Sequence, residues 1–200
     1  EAGVIATTGT GKVDIKSSSF NKNSAVRAGV IGAEGGSIVV DDCEFNENSV
    51  TEYGGVIGLS ENAEIDVFNS KFTNNAATLA GVIANIGSGT IEVENSTFKN
   101  NDAYYGGVIG AVAGNVDIKH SSFDNNSATH GGAIATSNDQ TTISIEDSNF
   151  TNNKALDASG AIYGGSGHII VKTSLFENNT AVNNAGAIGV TGVGEVSISD

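Results

Sequence analysis

The chain has 200 residues, a formal net charge of −14, 27 glycines, and no proline, methionine or tryptophan. This charge excludes nucleic acids and anionic membrane surfaces as natural partners, because binding phosphate groups requires clustered Lys and Arg, and the chain has only nine scattered ones. No run of 18 apolar residues occurs, so the sequence predicts no transmembrane helix and no direct membrane insertion.

The first repeated element is a Gly-[Val/Ala]-Ile tripeptide that occurs eight times, and we predict that each copy is a short β-strand. The copies begin at Gly3, Gly29, Gly55, Gly81, Gly107, Gly132, Gly160 and Gly186. If each Ile points inward, the outward columns begin at Ala2, Val4 and Ala6; they contain no charged residue and only one large polar one, Tyr163. We expect this uncharged strip to pack against another part of a longer parent chain, to pair with another chain, or to bind an ordered surface such as ice.

The second element is a pair of aliphatic residues with one residue between them, which predicts a strand with one buried face. The pairs are Val13/Ile15, Ile38/Val40, Ile65/Val67, Ile91/Val93, Val116/Ile118, Ile143/Ile145 and Ile169/Val171. Between the two aliphatic residues, Asp66, Glu92 and Asp117 point outward in successive repeats. We interpret them as a solvated acidic surface, with a Ca²⁺ site as the alternative, since Ca²⁺ prefers carboxylate oxygens. Apart from that possible Ca²⁺, no cofactor is predicted.

The third element is Phe-x-x-Asn, repeated seven times at intervals of 25 to 27 residues. The pairs are Phe20/Asn23, Phe45/Asn48, Phe72/Asn75, Phe98/Asn101, Phe123/Asn126, Phe150/Asn153 and Phe176/Asn179. A leucine-rich repeat has a similar period, but the chain has only four leucines and too much glycine after the asparagine to form a helix.

We therefore predict an all-β fold, a right-handed single-stranded parallel β-helix with about 26 residues per coil and seven to eight coils. Phenylalanines would stack inside, and the asparagines would form a ladder that bonds one coil to the next. Residues 1–200 would form one domain, a segment of a longer surface protein. Cys43 replaces a serine that precedes Phe by two in the other repeats, so we interpret it as a small buried residue.

One column varies from repeat to repeat, two residues before the glycine of the first element. It contains Arg27, Tyr53, Leu79, Tyr105 and His130, and Tyr104 lies beside it. Large amphipathic side chains along one edge are typical of surfaces that hold a sugar or a protein loop, so these six residues are the predicted partner-binding residues. The alternative is that they only cover the ends of the strands.

Gly131-Gly132-Ala133-Ile134, combined with Phe-x-x-Asn at fixed spacing, resembles the paired motif of the polymorphic outer-membrane proteins and related adhesin-like surface proteins. This resemblance covers the whole chain. It implies a cell-surface adhesin passenger or stalk domain, extracellular or at the cell surface, that attaches to a protein or glycan of host cells or other microbes.

We predict no catalytic residues, because the carboxylates fall in repeating columns and not in one cluster. Two other functions stay open: an ice- or surface-binding solenoid that uses the uncharged strip, and a polysaccharide-cleaving β-helix enzyme.

Overall fold

The computed structural model describes residues 2–138 and 141–200, and the regular elements in these residues are all β-strands. Each turn of the chain adds one strand to each of three parallel sheets, so residues about 26 positions apart lie side by side. The seven strands of the third sheet mark about seven turns of a β-solenoid, as the repeat predicted.

Sheet A contains the Gly-x-Ile strands: β1 (Ile5–Thr7), β5 (Ile31–Ala33), β9 (Ile57–Leu59), β12 (Ile83–Asn85), β15 (Ile109–Ala111), β19 (Ile134–Thr136), β23 (Ile162–Gly164) and β27 (Ile188–Val190). Sheet B contains the aliphatic-pair strands: β2 (Lys12–Lys16), β6 (Gly36–Asp41), β10 (Ala63–Phe68), β13 (Ile91–Glu94), β16 (Val116–Lys119), β20 (Thr142–Glu146), β24 (His168–Lys172) and β28 (Glu195–Ser199).

Sheet C contains the phenylalanine strands: β3 (Ser19–Asn21), β7 (Glu44–Asn46), β11 (Lys71–Thr73), β14 (Thr97–Lys99), β17 (Ser122–Asp124), β21 (Asn149–Thr151) and β25 (Leu175–Glu177). Short strands follow it in five turns: β4 (Ser24–Ala25) pairs with β8 (Ser49–Val50), and β22 (Lys154–Ala158) lies between β18 (Ser127–His130) and β26 (Thr180–Ala181).

The core is one apolar column inside the three sheets. Ile65 and Val67 of sheet B are fully buried. Their partners on the neighbouring strand are Ile91 and Val93, so each aliphatic side chain packs against the equivalent residue of the next turn. The phenylalanines of sheet C stack with ring centroids 4.5 to 5.0 Å apart and planes within 12° of parallel. This spacing follows from the separation of adjacent strands, about 4.8 Å.

The predicted asparagine ladder is present, and each central asparagine is buried with all its hydrogen-bonding groups satisfied. Asn101 Oδ1 accepts from the backbone N–H and the Nδ2 of Asn75, at 3.0 and 3.1 Å. Asn101 Nδ2 donates to Asn126 Oδ1 and to the carbonyl oxygen of Phe72, both at 3.0 Å. The amide therefore ties together three successive turns, which explains why no other side chain serves at this position.

The asparagines at the two ends of the ladder differ from the central ones, although the sequence predicted the same role for all seven. Asn48 and Asn153 are fully buried like the three between them, whereas Asn23 and Asn179 are only half-buried. Asn48 Oδ1 accepts from the N–H and Nδ2 of Asn23, at 3.0 and 2.9 Å. Asn179 Oδ1 accepts from the N–H and Nδ2 of Asn153, both at 3.0 Å.

The predicted ladder therefore includes all seven asparagines, with Asn23 and Asn179 as its two end members. The side-chain amide of Asn23 bonds only towards the Asn48 turn, and that of Asn179 only towards preceding turns, with its Nδ2 donating to the Phe150 carbonyl at 2.8 Å. Asn48 and Asn153, in contrast, bond on both sides. The physical reason is that a ladder rung needs a turn above and a turn below to satisfy both its oxygen and its amide group.

A second ladder runs through the serines that precede the phenylalanines. The Ser96 N–H donates to Ser121 Oγ at 3.1 Å, while the Ser96 hydroxyl donates to the Glu94 carbonyl at 2.9 Å. Cys43 occupies this position in its own turn and is buried, with its sulfur 3.2 Å from the Asp41 carbonyl oxygen. Burial raises the pKa of the Cys43 thiol. Its interpretation as a small buried residue is confirmed.

Close packing of the backbone explains the glycine of seven of the eight sheet A tripeptides, from Gly3 to Gly160. A Cβ at Gly29 would overlap the carbonyl oxygen of Gly55, and one at Gly55 would overlap that of Gly81. Glycine is required there because successive turns approach more closely than any side chain allows.

The prediction of an exposed uncharged strip on sheet A is wrong. The N–H groups of Val30 and Ile31 both donate to the Val56 carbonyl, at 3.0 and 2.9 Å, so the chain bends between them. Both side chains consequently point into the core and are fully buried. The turn that precedes each strand also lies over the outer face of sheet A, which leaves Ala84 and Ala135 fully buried.

Candidate functional site

The variable column predicted from the sequence forms one row along an edge of the solenoid, which we call the edge row: Arg27, Tyr53, Leu79, Tyr105 and His130. Its backbone is held turn to turn, since the Gly54 N–H donates to the Arg27 carbonyl at 3.2 Å and the Ala80 N–H donates to the Tyr53 carbonyl at 3.1 Å. The backbone of Tyr105 pairs in parallel with that of His130. The side chains, in contrast, are free to differ from turn to turn.

A pocket of about 440 Å³ opens on the outer face of sheet A near the first turns, and we call it the N-terminal pocket. Arg27 and Tyr53 of the edge row form one wall, and Gly32 and Gly58 lie at its floor. Its remaining lining residues are Ala2, Ala6, Thr7, Thr8, Ala28, Ala33, Glu34, Leu59, Ser60 and Ile86.

Charged groups of both signs surround the N-terminal pocket. Arg27 Nε lies 3.5 Å from Glu52 Oε2 in an exposed ion pair, and Glu34 Oε2 accepts a hydrogen bond from the Gly9 N–H at 3.3 Å. The hydroxyl oxygen of Thr7 is buried without a hydrogen-bond partner. This pocket therefore offers an aromatic ring, a cation and a carboxylate to a ligand.

A second pocket, of about 190 Å³, lies on the same face near the last turns, and we call it the C-terminal pocket. Tyr105, His130 and Tyr163 form its aromatic wall, and Ser137, Gly165, Ser166 and Thr191 complete it. The Tyr105 and Tyr163 rings are nearly perpendicular, at 85°, with centroids 6.3 Å apart, and the His130 ring lies 5.7 Å from that of Tyr163. Three rings in mutual contact give a preformed apolar surface.

Tyr104 lies at the outer border of this aromatic wall. Its side chain is 57% exposed, and its ring meets that of His130 edge-on at a centroid distance of 5.6 Å. The aromatic surface thus extends from the half-buried Tyr105 to the solvent-exposed Tyr104, which is accessible to a large partner as well as to a ligand inside the pocket.

The polar atoms of the C-terminal pocket are largely held in place. Burial raises the pKa of Tyr105 to about 12, although the hydrogen bond with Ser137 lowers this pKa. The Tyr163 hydroxyl lies 3.4 Å from Thr191 Oγ1, which itself donates to the Gly165 carbonyl at 3.2 Å. His130 Nδ1 is buried, lacks a hydrogen-bond partner, and lies 3.7 Å from Asp157 Oδ2.

The sequence model of the family described as "Right handed beta helix region" matches residues 2–176. The chain belongs to the right-handed β-helix family. The predicted handedness is thereby confirmed, together with the parallel β-helix fold. No curated protein and no solved structure matches the chain.

Sequence reasoning missed Tyr163 as a member of the aromatic wall of this β-helix. Tyr163 stands in a column of sheet A that otherwise holds Ala or Gly, and the sequence analysis counted it as part of the uncharged strip. Its parallel partners Ala135 and Gly189 are small, so its ring projects above them and reaches the edge row. A single large residue in a column of small ones was the signal that would have identified it.

The acidic column of the β-helix is placed as predicted but is not assembled into a metal cluster. Asp66 pairs with Glu92, and Glu92 with Asp117, on the outer face of sheet B. Asp117 Oδ2 lies 3.3 Å from Lys119 Nζ. Burial and the neighbouring Glu64 raise the pKa of Asp66. In residues 2–138 and 141–200 no group of three or more His, Cys, Asp or Glu side chains is arranged to hold a metal ion.

No helix in the described part of the β-helix is long and apolar enough to cross a membrane.

Proposed function

We propose that this β-helix is the passenger or stalk domain of a cell-surface adhesin. It acts outside the cell or at its surface and attaches to a protein or glycan of host cells or other microbes, without chemistry on what it binds. The observation that carries this proposal is that the edge row, which differs from turn to turn, lines both pockets of sheet A. Large amphipathic side chains that differ from turn to turn along an edge and line a pocket are suited to recognition.

The ladders suit the chain to a stalk. Every turn is tied to the next by backbone bonds of three sheets and by the asparagine ladder, so the edge row is held on a stiff support. Rigid presentation lowers the entropy cost of binding, because the side chains are ordered before the partner arrives.

The arrangement of carboxylates supports binding without catalysis. Glycosidic bond cleavage commonly uses two carboxylates across one site. Glu34 is the one carboxylate among the described residues that line the N-terminal pocket, and Tyr105, His130 and Tyr163 dominate the other. The ice-binding alternative loses its main support, because most of the uncharged strip is buried.

The experiment is a cell-binding assay with the purified chain immobilised on beads. The variant carries both Tyr53→Leu and Tyr105→Leu. Leucine already stands at the equivalent position of another turn, Leu79, so both turns keep an apolar side chain there. We expect attachment to host or microbial cells to fall about tenfold or more.

The matched control is Leu175→Ala, an exposed apolar residue of sheet C on another face of the solenoid. It removes a similar side chain but leaves attachment unchanged. Equal attachment by the double variant and the unaltered chain would remove the edge row from the adhesive surface. Turnover of a polysaccharide panel would replace the proposal with an enzymatic one.

A further inference from the structure

We propose that the C-terminal pocket binds one uncharged hexopyranose residue of a glycan, with the ring of Tyr163 as the platform on which the sugar stacks. This inference deepens the proposed adhesin function, since it names the partner class for one of the two pockets. Nothing in the repeat requires Tyr163, because Ala and Gly stand at the same position in the other turns.

The size of the pocket sets the size of its ligand. Its volume of about 190 Å³ lies below the roughly 300–1,000 Å³ of sites for drug-sized ligands, and it suits a single sugar ring. A neighbouring depression of about 350 Å³ is lined by Val112, Ser137, Asn138 and Ser166, two of which also line the pocket. The next residue of a glycan chain has room there.

The charge of the lining selects against acidic sugars. The described residues that line the C-terminal pocket include no Asp, Glu, Lys or Arg. A carboxylate oxygen of Asp157 lies 3.7 Å from His130 Nδ1, and the whole chain carries a net charge of −14. A uronate or sialate would therefore meet a repulsive field without a cation to offset it.

The polar atoms match the hydroxyl groups of a sugar. A pKa of about 12 keeps the Tyr105 phenol protonated across the physiological range, so it remains a hydrogen-bond donor. The hydroxyls of Ser166 and Tyr163 can both donate and accept. Those of Ser137 and Thr191 donate to the Val112 and Gly165 carbonyls and can still accept. Aromatic rings beneath a few placed hydroxyls supply the stacking and the hydrogen bonds that an uncharged sugar ring needs.

The two pockets consequently differ in specificity. The N-terminal pocket places Arg27 and Glu34 around Tyr53, whereas the C-terminal pocket presents rings and hydroxyls alone, apart from His130. A neutral sugar would therefore be held at the last turns and not at the first.

The test is isothermal titration calorimetry of the whole chain with oligosaccharides of glucose, galactose and mannose and, in parallel, of galacturonate. The informative variant is Tyr163→Ala, which reproduces the residue found at this position in three other turns and so preserves the fold. We expect at least one neutral oligosaccharide to bind, galacturonate not to bind, and Tyr163→Ala to weaken neutral binding about tenfold. Tyr163→Phe retains most of the affinity, and Leu175→Ala retains all of it.

Preference for galacturonate, or unchanged neutral binding by Tyr163→Ala, would overturn the inference. If no saccharide binds while cells still attach through the edge row, this inference fails and the adhesin function stands. If a neutral sugar binds through Tyr163 but the chain attaches to no cell, the inference stands and the adhesin function fails.

Discussion

Sheet C and the edge row lie on the same solenoid, but the side chains are uniform from turn to turn in sheet C and variable in the edge row. In sheet C each turn repeats the same phenylalanine, and at the corner that follows it each turn repeats the same asparagine, because each side chain is stacked on or bonded to its copies above and below. In the edge row the backbone makes the contacts between turns, so Arg27, Leu79 and His130 occupy equivalent places. Stacking of side chains enforces uniformity, and stacking of backbone leaves side chains free for recognition.

Asn101→Ala, in the middle of the ladder, removes the side-chain bonds that join successive turns. The N–H and Nδ2 of Asn75 would lose their acceptor, and the Phe72 carbonyl would lose a donor, all in a buried site. We expect a loss of about 3 kcal/mol or more in the free energy of unfolding, measured by urea denaturation.

The control for Asn101→Ala is Asn100→Gly, at an exposed neighbour with a φ of 56° that glycine adopts without strain. This control removes two surface hydrogen bonds, from Asn100 Nδ2 to Asn74 Oδ1 and from Asn125 Nδ2 to Asn100 Oδ1, and costs roughly 0.5 kcal/mol or less. A similar cost for both variants would show that the ladder does not depend on buried amide bonds.

An intermediate effect is expected at Tyr105, whose raised pKa reports its burial in the edge row. The unfolded chain ionises this phenol near pH 10 and the folded chain near pH 12, so its contribution to stability is complete below pH 10 and is lost as the pH rises to 12. The loss is on the order of 2 kcal/mol, reduced by partial solvent exposure.

Urea denaturation across this pH range should therefore show a shallower fall in stability for Tyr105→Phe than for the unaltered chain. The same variant should lack the tyrosinate absorbance that develops near pH 12 in the folded protein. Identical curves for the two proteins would place Tyr105 in solvent and would weaken the description of the C-terminal pocket.

The smallest effect is expected from Cys43→Ser, which completes the serine ladder. The Ser18 N–H now donates to the Cys43 sulfur, a weaker acceptor than the hydroxyl oxygen that serves the other turns. We expect a gain of about 0.5 kcal/mol in the free energy of unfolding. Cys43→Ala, which offers no acceptor, should instead lose stability, and the opposite order would show that volume and not hydrogen bonding governs this position.

Most of the fold could be predicted from the sequence because a period held over seven turns allows few arrangements. Equivalents of Phe98 and Asn101 occur one period away in both directions. Only direct stacking of the turns lets the rings pack together and the amides hydrogen-bond to one another. The edge row was also predictable, since Tyr53 and Leu79 share a place in the repeat and differ in chemistry.

The rest of the site depended on the path of the chain between strands. Alternation along Gly-x-Ile pointed Val30 outward, but the bend that lets two N–H groups share the Val56 carbonyl turns it inward. The preceding turn covers most of the strip. Strip residues such as Gly32 and Gly58 line the N-terminal pocket, whereas Tyr163 is the strip residue that lines the C-terminal pocket. Tyr163 joined Tyr105 only through that folding, at a separation of 58 residues along the chain.

The solenoid, its period, its ladders and the position of the edge row follow from the sequence alone, because side chains spaced about 4.8 Å apart in a column must suit one another. Which residues of the edge row meet, and where sheet A remains open, depends on the tertiary structure. Those contacts depend on how each turn passes over the sheet. Backbone hydrogen bonds set that path, and they do not depend on residue type, so the sequence pattern does not reveal them.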